Sequence, residues 1–166
     1  MVLLKDNQNL IGLKKENDEI IPMNIILSKI NYIKCIYEIK SKDISKDIQI
    51  INNKAHYDDS IQNEEIGKKI EIIIKGEIKS NIFKYKFKKE GEYTIYLLSY
   101  KPITDMSYMF YDCDLLKELD LSLFNTNQVN NMKFMFCNCR ILTKLNLLSF
   151  DTNKVTNMRS MFCNCR

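Results

Sequence analysis

Three groups of residues have the types and spacing that site chemistry requires. Cys137-x-Cys139 and Cys163-x-Cys165 lie 26 residues apart, and four thiolates can in principle hold zinc. The usual knuckle spacing is Cys-x₂-Cys, however, and Cys113 occupies the equivalent place with no partner two residues earlier. Free cysteine is among the most buried residue types and packs as a small hydrophobe, so a ladder of stacked core cysteines is the first expectation. A bridge between Cys139 and Cys165 is the remaining reading, although parallel side chains in a ladder meet disulfide geometry poorly. His56, the one histidine, stands beside Tyr57-Asp58-Asp59. Nothing completes an acid–base or metal site around it, so it reads as a solvated loop residue. Lys84, Lys86, Lys88 and Lys89 interleave with Phe83, Tyr85 and Phe87, a superficially nucleic-acid-like pattern. Alternation along a strand puts the lysines and the rings on opposite faces, so they cannot share one binding surface. With no Gly-rich phosphate loop and no Ser/His/Asp or Cys/His set, the expectation is no enzyme, no cofactor, no metal and no nucleic-acid partner.

The elements that would position these residues are bounded by composition. The chain has 166 residues, 45% hydrophobic and 28% charged, with a net charge of +4. That suits one ordinary domain or two small ones, and the charge is too mild to argue for an anionic partner. No apolar run approaches the roughly 18 residues that span a bilayer. At the start, Lys5-Asp6 ends the apolar stretch Val2-Leu3-Leu4 before a secretory segment can form, so no signal peptide is expected and reduced thiols are the default.

Residue usage switches near residue 100. Up to Tyr100 there are 22 Ile and 7 Leu, and from Lys101 onward 2 Ile and 9 Leu, with six of the eight Met and five of the six Cys after the switch. A boundary is expected at Tyr100-Lys101-Pro102, where proline removes a backbone donor and holds its predecessor extended. Before it, Ile33, Cys35, Tyr37 and Ile39 alternate with Lys34, Ile36, Glu38 and Lys40, and Ile48/Ile50 and Ile70/Ile72/Ile74 repeat the period of two. These read as strands of a small antiparallel β-domain over residues 30–100. Phe83–Phe87 and Tyr93–Leu97, around Lys89-Glu90-Gly91-Glu92, predict a hairpin. Residues 52–69 read as a polar loop with room for a short helix, and residues 1–29 as a loosely ordered segment.

After the boundary the sequence repeats. Met109-Phe110 recurs at Met135-Phe136 and Met161-Phe162, and residues 109–134 align without a gap on 135–160 with 12 identities. Ile103-Thr104-Asp105-Met106 fits the tail of an earlier partial unit, and residues 161–166 the head of a third. A fixed period of 26 is the signature of stacked units that bury their apolar faces only against one another. In each unit Leu116-x-x-Leu119-x-Leu121 or Leu142-x-x-Leu145-x-Leu147 predicts a short strand. Successive strands would stack about 4.8 Å apart as a parallel ladder, with Phe124, Val129, Met132 and Met135 filling the interior.

Met109, Phe110, Cys113, Leu116, Leu119–Ser122, Phe124–Thr126, Val129 and Met132, with their partners 26 residues on, resemble the BspA-like leucine-rich repeat family of surface proteins from bacteria, mycoplasmas and several protists. The resemblance covers residues 103–166. It implies a short leucine-rich repeat solenoid over residues 101–166; with the small antiparallel β-domain read from the alternation before it, which these motifs do not cover, the expected fold is mainly β. It also implies protein-binding or cell-surface adhesion without enzymatic chemistry. No Asn-x-Ser/Thr sequon is present. The missing signal and sequons favour a second reading, an intracellular leucine-rich repeat scaffold, and the paired cysteines a third, a zinc-binding regulatory module. Localisation therefore stays open between the cell surface and the cytoplasm.

With Leu119 and Leu121 inward, Glu118, Asp120 and Ser122 face outward on the first strand, and Lys144, Asn146 and Leu148 on the second. These six form the expected concave partner-binding face, with Asp120 or Glu118 set to pair with Lys144 across strands. The Phe83–Leu97 hairpin is the expected cap of the first unit. Stopping six residues into a unit suggests a fragment, and the uncapped end a site of self-association.

Overall fold

The computed structural model describes residues 31–54 and 62–166 with their side chains, preceded by the backbone of three strands. Those strands, β1 (Val2–Lys5), β2 (Leu10–Lys14) and β3 (Ile20–Pro22), form an antiparallel meander. They lie within the segment 1–29 that the sequence reads as loosely ordered. Each apolar run is too short to display a period of two, yet pairing the three satisfies their backbone groups.

The rest of the chain centres on one mixed sheet. In chain order come β4 (Asn31–Ile39), β5 (Ile48–Gln49), helix α1 (Glu64–Lys69), β6 (Ile70–Ile74), β7 (Glu77–Lys79), β8 (Lys84–Tyr85), β9 (Gly91–Ser99), β10 (Leu116–Asp120) and β11 (Lys144–Asn146). Six of these strands lie in the order β11-β10-β4-β9-β6-β7, with only β10 and β11 parallel, while β5 pairs β8 separately. The alternation read in β4 is realised: Ile33, Cys35, Tyr37 and Ile39 are at most 2% exposed, and Lys34, Ile36 and Glu38 between them are half-buried.

The expected Phe83–Leu97 hairpin does not form. Strand β9 pairs β4 along nine residues on one side and β6 along Ile95–Ser99 on the other, so Ile95–Leu97, the stretch that Phe83–Tyr85 would need, has no free edge. That segment turns away instead. Lys84 and Tyr85 pair β5, and Phe87 is fully buried between the rings of Tyr85 and Tyr93, at centroid distances of 4.9 and 4.5 Å. The hairpin that does form is β6–β7. Lys75 and Gly76 take φ of 50° and 76° between the paired residues Ile74 and Glu77, the left-handed pair that a two-residue turn matched to strand twist requires.

Within the polar stretch 52–69, α1 begins at Asn63, whose side chain accepts from the Glu65 amide at 3.1 Å. Glu64 and Glu65 in its first turn and Lys68 and Lys69 in its last suit the helix dipole, and Ile66, fully buried, fastens it to the core. His56 lies outside the described residues.

One apolar core runs from Ile33 to Met161. The composition switch at residue 100 therefore marks no gap in the packing. Strand β4, from before the switch, pairs antiparallel with β10, from after it, with Cys35 opposite Leu119 and Lys34 opposite Asp120. The role of closing the first 26-residue unit, expected of residues 83–97, falls to β4.

Candidate binding face

The 26-residue units stack in register through the backbone. The amides of Met106, Phe110 and Asp112 donate to the carbonyls of Asn131, Met135 and Cys137, and one unit later those of Met132, Phe136 and Asn138 donate to Asn157, Met161 and Cys163. Phe110, Phe136 and Phe162 stack at 5.7 and 5.2 Å along the same direction. The richness in Asn and Asp has a local cause. Asp105, Asn131 and Asn157 each accept from the amide two residues on, at 2.7, 3.2 and 3.1 Å. Asp120 and Asn146 do the same at 2.8 and 3.1 Å, and Asn125 and Asp151 at 2.9 Å each. Every unit is bent by side-chain turns of this kind.

The cysteines divide between two sides of the chain. Cys113, Cys139 and Cys165 form the expected core ladder, joined by Cys35 from β4. Their thiols donate to the carbonyls of Ile50, Phe110 and Phe136 at 3.5, 3.2 and 3.1 Å. Burial pushes the Cys35, Cys113, Cys139 and Cys165 thiols above their ordinary range, which disfavours the thiolate that a metal or a nucleophile needs. Cys137 and Cys163 point the other way, into a small cluster with Tyr108, Tyr111 and Phe134. They are joined in a disulfide with Cα atoms 4.5 Å apart. This corrects the expectation of reduced thiols and of Cys139–Cys165 as the pair to consider. Two residues on, a Cys faces the opposite side of the wall, where the ladder position already has a carbonyl partner. The four sulfurs of the zinc reading are thereby split. Among the described residues no group of three His, Cys, Asp or Glu side chains is placed for a metal ion.

The six residues expected on the concave face lie at the end of the central sheet. Glu118, Asp120 and Ser122 are half-buried, and Lys144, Asn146 and Leu148 exposed, Leu148 at 89%. Lys144 Nζ meets Glu118 Oε1 at 2.8 Å, one of the two pairings foreseen. Glu118, Asp120, Lys144 and Asn146 line a shallow groove of about 240 Å³ with Leu119 and Leu145, whereas Ser122 and Leu148 do not. Its other wall, missed in the sequence, is Lys34 and Ile36 of β4. Register continues the face further, in one row Ile73–Tyr96–Lys34–Asp120–Asn146 and in the next Thr94–Ile36–Glu118–Lys144. Tyr32 and Tyr96 meet edge to face at 5.8 Å beside it, and burial raises both hydroxyls above their ordinary range.

A bulge between Leu116 and Glu118 lets Lys117 and Glu118 both serve this face. Glu38 and Glu92, directly opposite on β4 and β9, would repel each other. Lys117 sits between them, at 3.7 Å from Glu38 and bonded to Glu92, whose carboxyl it holds below the usual range. The groove is thus lined mainly by charged and amide side chains, with Ile36 beside them.

Just before the first unit, the partial unit at Thr104–Ser107 is tied to α1. Asn63 donates to the carbonyls of Asp105 and Ser107 at 2.8 and 3.1 Å. Glu65 accepts from the Thr104 amide at 2.8 Å and hydroxyl at 2.6 Å, and pairs Lys69 at 3.1 Å. Burial alone would raise its carboxyl, but these bonds outweigh burial and hold it below the usual range.

Fold and face define a mainly β chain in which an antiparallel part closes a stack of repeated units. Residues 80–166, more than half of the chain, match the family described as Mycoplasma protein of unknown function, DUF285, and the chain belongs to that family. No curated protein and no solved structure matches it. No helix among the described residues is long and apolar enough to cross a membrane.

Proposed function

We propose that this chain is a non-enzymatic protein-binding module, serving adhesion or cell-surface recognition, whose 26-residue units form a leucine-rich repeat solenoid of the BspA-like kind. The observation that carries the reading is the in-register face across β4, β10 and β11. It brings Lys34, Ile36, Glu118, Asp120, Lys144 and Asn146 around one groove. Asp120 and Asn146 turn the backbone, so partner contact falls on Lys34, Ile36 and the Lys144–Glu118 pair, with the free edge of the Asp120 carboxylate between them. The bridge Cys137–Cys163 favours an oxidising compartment over the intracellular scaffold reading, since cytosolic thiols are held reduced.

The test immobilises the intact chain, cross-links it to solubilised host-cell surface proteins and compares it with Lys34→Glu/Lys144→Glu. Asp120→Asn serves as a milder variant that keeps the turn while removing the charge. Loss of a captured protein with an unchanged melting temperature is the expected result. Equal capture by all three proteins would overturn the assignment of this face. If protein isolated from cells with its thiols blocked has Cys137 and Cys163 free, the scaffold reading gains instead.

A further inference from the structure

A cleft of about 600 Å³, sharing no residue with the groove, opens between the antiparallel part and the repeats. One wall comes from the 3₁₀ turn Ser41–Asp43, the loop after it and the β5–β8 pair, where Gln49 lies opposite Lys84. The other comes from equivalent turns of the first two units, at Asp112–Leu115 and at Asn138 and Arg140. The charges gathered there do not pair with one another. Asp43 is only 6% exposed, and one of its oxygens accepts from the Lys40 amide at 3.2 Å. The other has no partner among the described residues, a costly state for so buried a carboxylate. Asn138 donates to one oxygen of Asp112 at 2.5 Å, which leaves the second for the cleft. Burial raises the Asp114 carboxyl, Arg140 opposes that shift, and Asp43 and Asp112 add to it, so these four groups lie within one another's fields. Yet Arg140 and Asp114 form no ion pair, and the amino groups of Lys46 and Lys84 have no partner among the described residues. No three of the carboxylates are placed for a metal ion.

We propose that this cleft is a second binding site, for a small zwitterion. An ammonium group of the ligand sits among Asp43, Asp112 and Asp114, and its carboxylate meets Arg140, with Lys46 and Lys84 beside it. Both signs are needed. A simple cation would leave the guanidinium without a partner, and a simple anion would face three carboxylates. Charge-assisted bonds at both ends of one molecule satisfy the two sets together. The cleft has room for an amino acid or a short peptide, two sources of the same chemistry.

Calorimetric titration of the whole chain at low ionic strength tests this with matched probes. L-lysine and the dipeptide lysylalanine carry both charges, 1,5-diaminopentane is lysine without its carboxylate, and hexanoate is lysine without its amines. The expected result is that at least one zwitterion binds, at least about tenfold more tightly than either single-sign probe. Whichever of the two binds better names the source. Asp114→Asn should weaken the zwitterion about tenfold, and Arg140→Gln should erase its advantage over 1,5-diaminopentane. Arg140 is exposed, so its variant keeps the test valid even where Asp114→Asn lowers the melting temperature. Lys68→Gln, at an exposed position on α1, should bind as the parent does. Failure of both zwitterions to bind, equal binding of 1,5-diaminopentane, or indifference to Arg140→Gln would each overturn the proposal.

Discussion

At the scale of single residues, the buried thiols and one carboxylate make the sharpest predictions. Cys139 donates its thiol proton to the Phe110 carbonyl, which also accepts from the Cys113 amide. Cys139→Ser keeps a donor there and Cys139→Ala does not, so Ser should retain about 1 kcal/mol more stability in urea unfolding. Equal or better stability for Ala would reduce the cysteine to a small hydrophobe. Glu65 is the pH-sensitive counterpart. Its folded carboxyl titrates below its ordinary value, so its contribution is present above the unfolded pKa and lost as pH falls through the folded one. Glu65→Gln should therefore destabilise at pH 7 by about 1 kcal/mol, with the difference shrinking once the carboxyl is protonated in both states. A gap that persisted in acid would mean that the side chain acts through shape alone. The buried side of β4 was readable from alternation at Ile33, Cys35, Tyr37 and Ile39. The groove positions Lys34 and Ile36 were not, because what makes them a wall is β10, more than eighty positions on, and no local pattern encodes that pairing.

At the scale of elements, the 26-residue period was the most readable feature. Identities in register imply stacking whatever the local backbone does, and β10 and β11 pair as the two Leu-x-x-Leu-x-Leu runs require. The errors fell where elements compete for the same edge. Phe83–Phe87 alternates as well as any strand here, but Ile95–Leu97 of β9 is already flanked by β4 and β6. The cysteine pairing failed for a related reason. A period of 26 places Cys137 on Cys163 and Cys139 on Cys165 equally well, and only the side on which each thiol finds a carbonyl separates them. The bridge closes 26 residues of sequence and also fastens the third head, alongside a few backbone bonds, Met161, the Phe136–Phe162 stack, the Cys165 thiol on the Phe136 carbonyl and the Asn164–Asn138 bond. Closing a loop of that length is worth about 3 kcal/mol in the chain-entropy account. Reduction, or Cys137→Ser/Cys163→Ser, should lower stability by about that amount and speed amide exchange at Met161–Cys165. Unchanged exchange there would show that packing, not the bridge, holds the head.

At the scale of the whole molecule, composition and structure divide the chain differently. The isoleucine-rich and leucine-rich halves meet near residue 100, where a domain boundary reads naturally. Yet strand β4 from the first half is the neighbour of β10 from the second, and Cys35, Tyr37, Ile50, Cys113 and Leu119 belong to one core. Further ties cross the same line. The Ile50 carbonyl, which accepts from Tyr37, also accepts from the Cys113 thiol across the line, and Glu65 and Asn63 satisfy the backbone just before the first unit. The two halves should therefore unfold together. Urea transitions followed by far-ultraviolet circular dichroism, by tyrosine fluorescence and by thiol accessibility of Cys35 and Cys139 should share one midpoint. Residues 101–166 expressed alone should fail to give a cooperative transition, because removing β4 takes away the partner of Leu116–Asp120 and the core residues Ile33, Cys35 and Tyr37 packed with Leu116 and Leu119. Burial of such side chains is worth about 2 kcal/mol each, a large fraction of the whole stability of a domain this size. Two separated midpoints, or a folded 101–166 piece, would mean that the repeats carry their own stability and that β4 only lies alongside them. The groove would then lose its rigid wall at Lys34 and Ile36, and partner binding would have to rest on β10 and β11 alone.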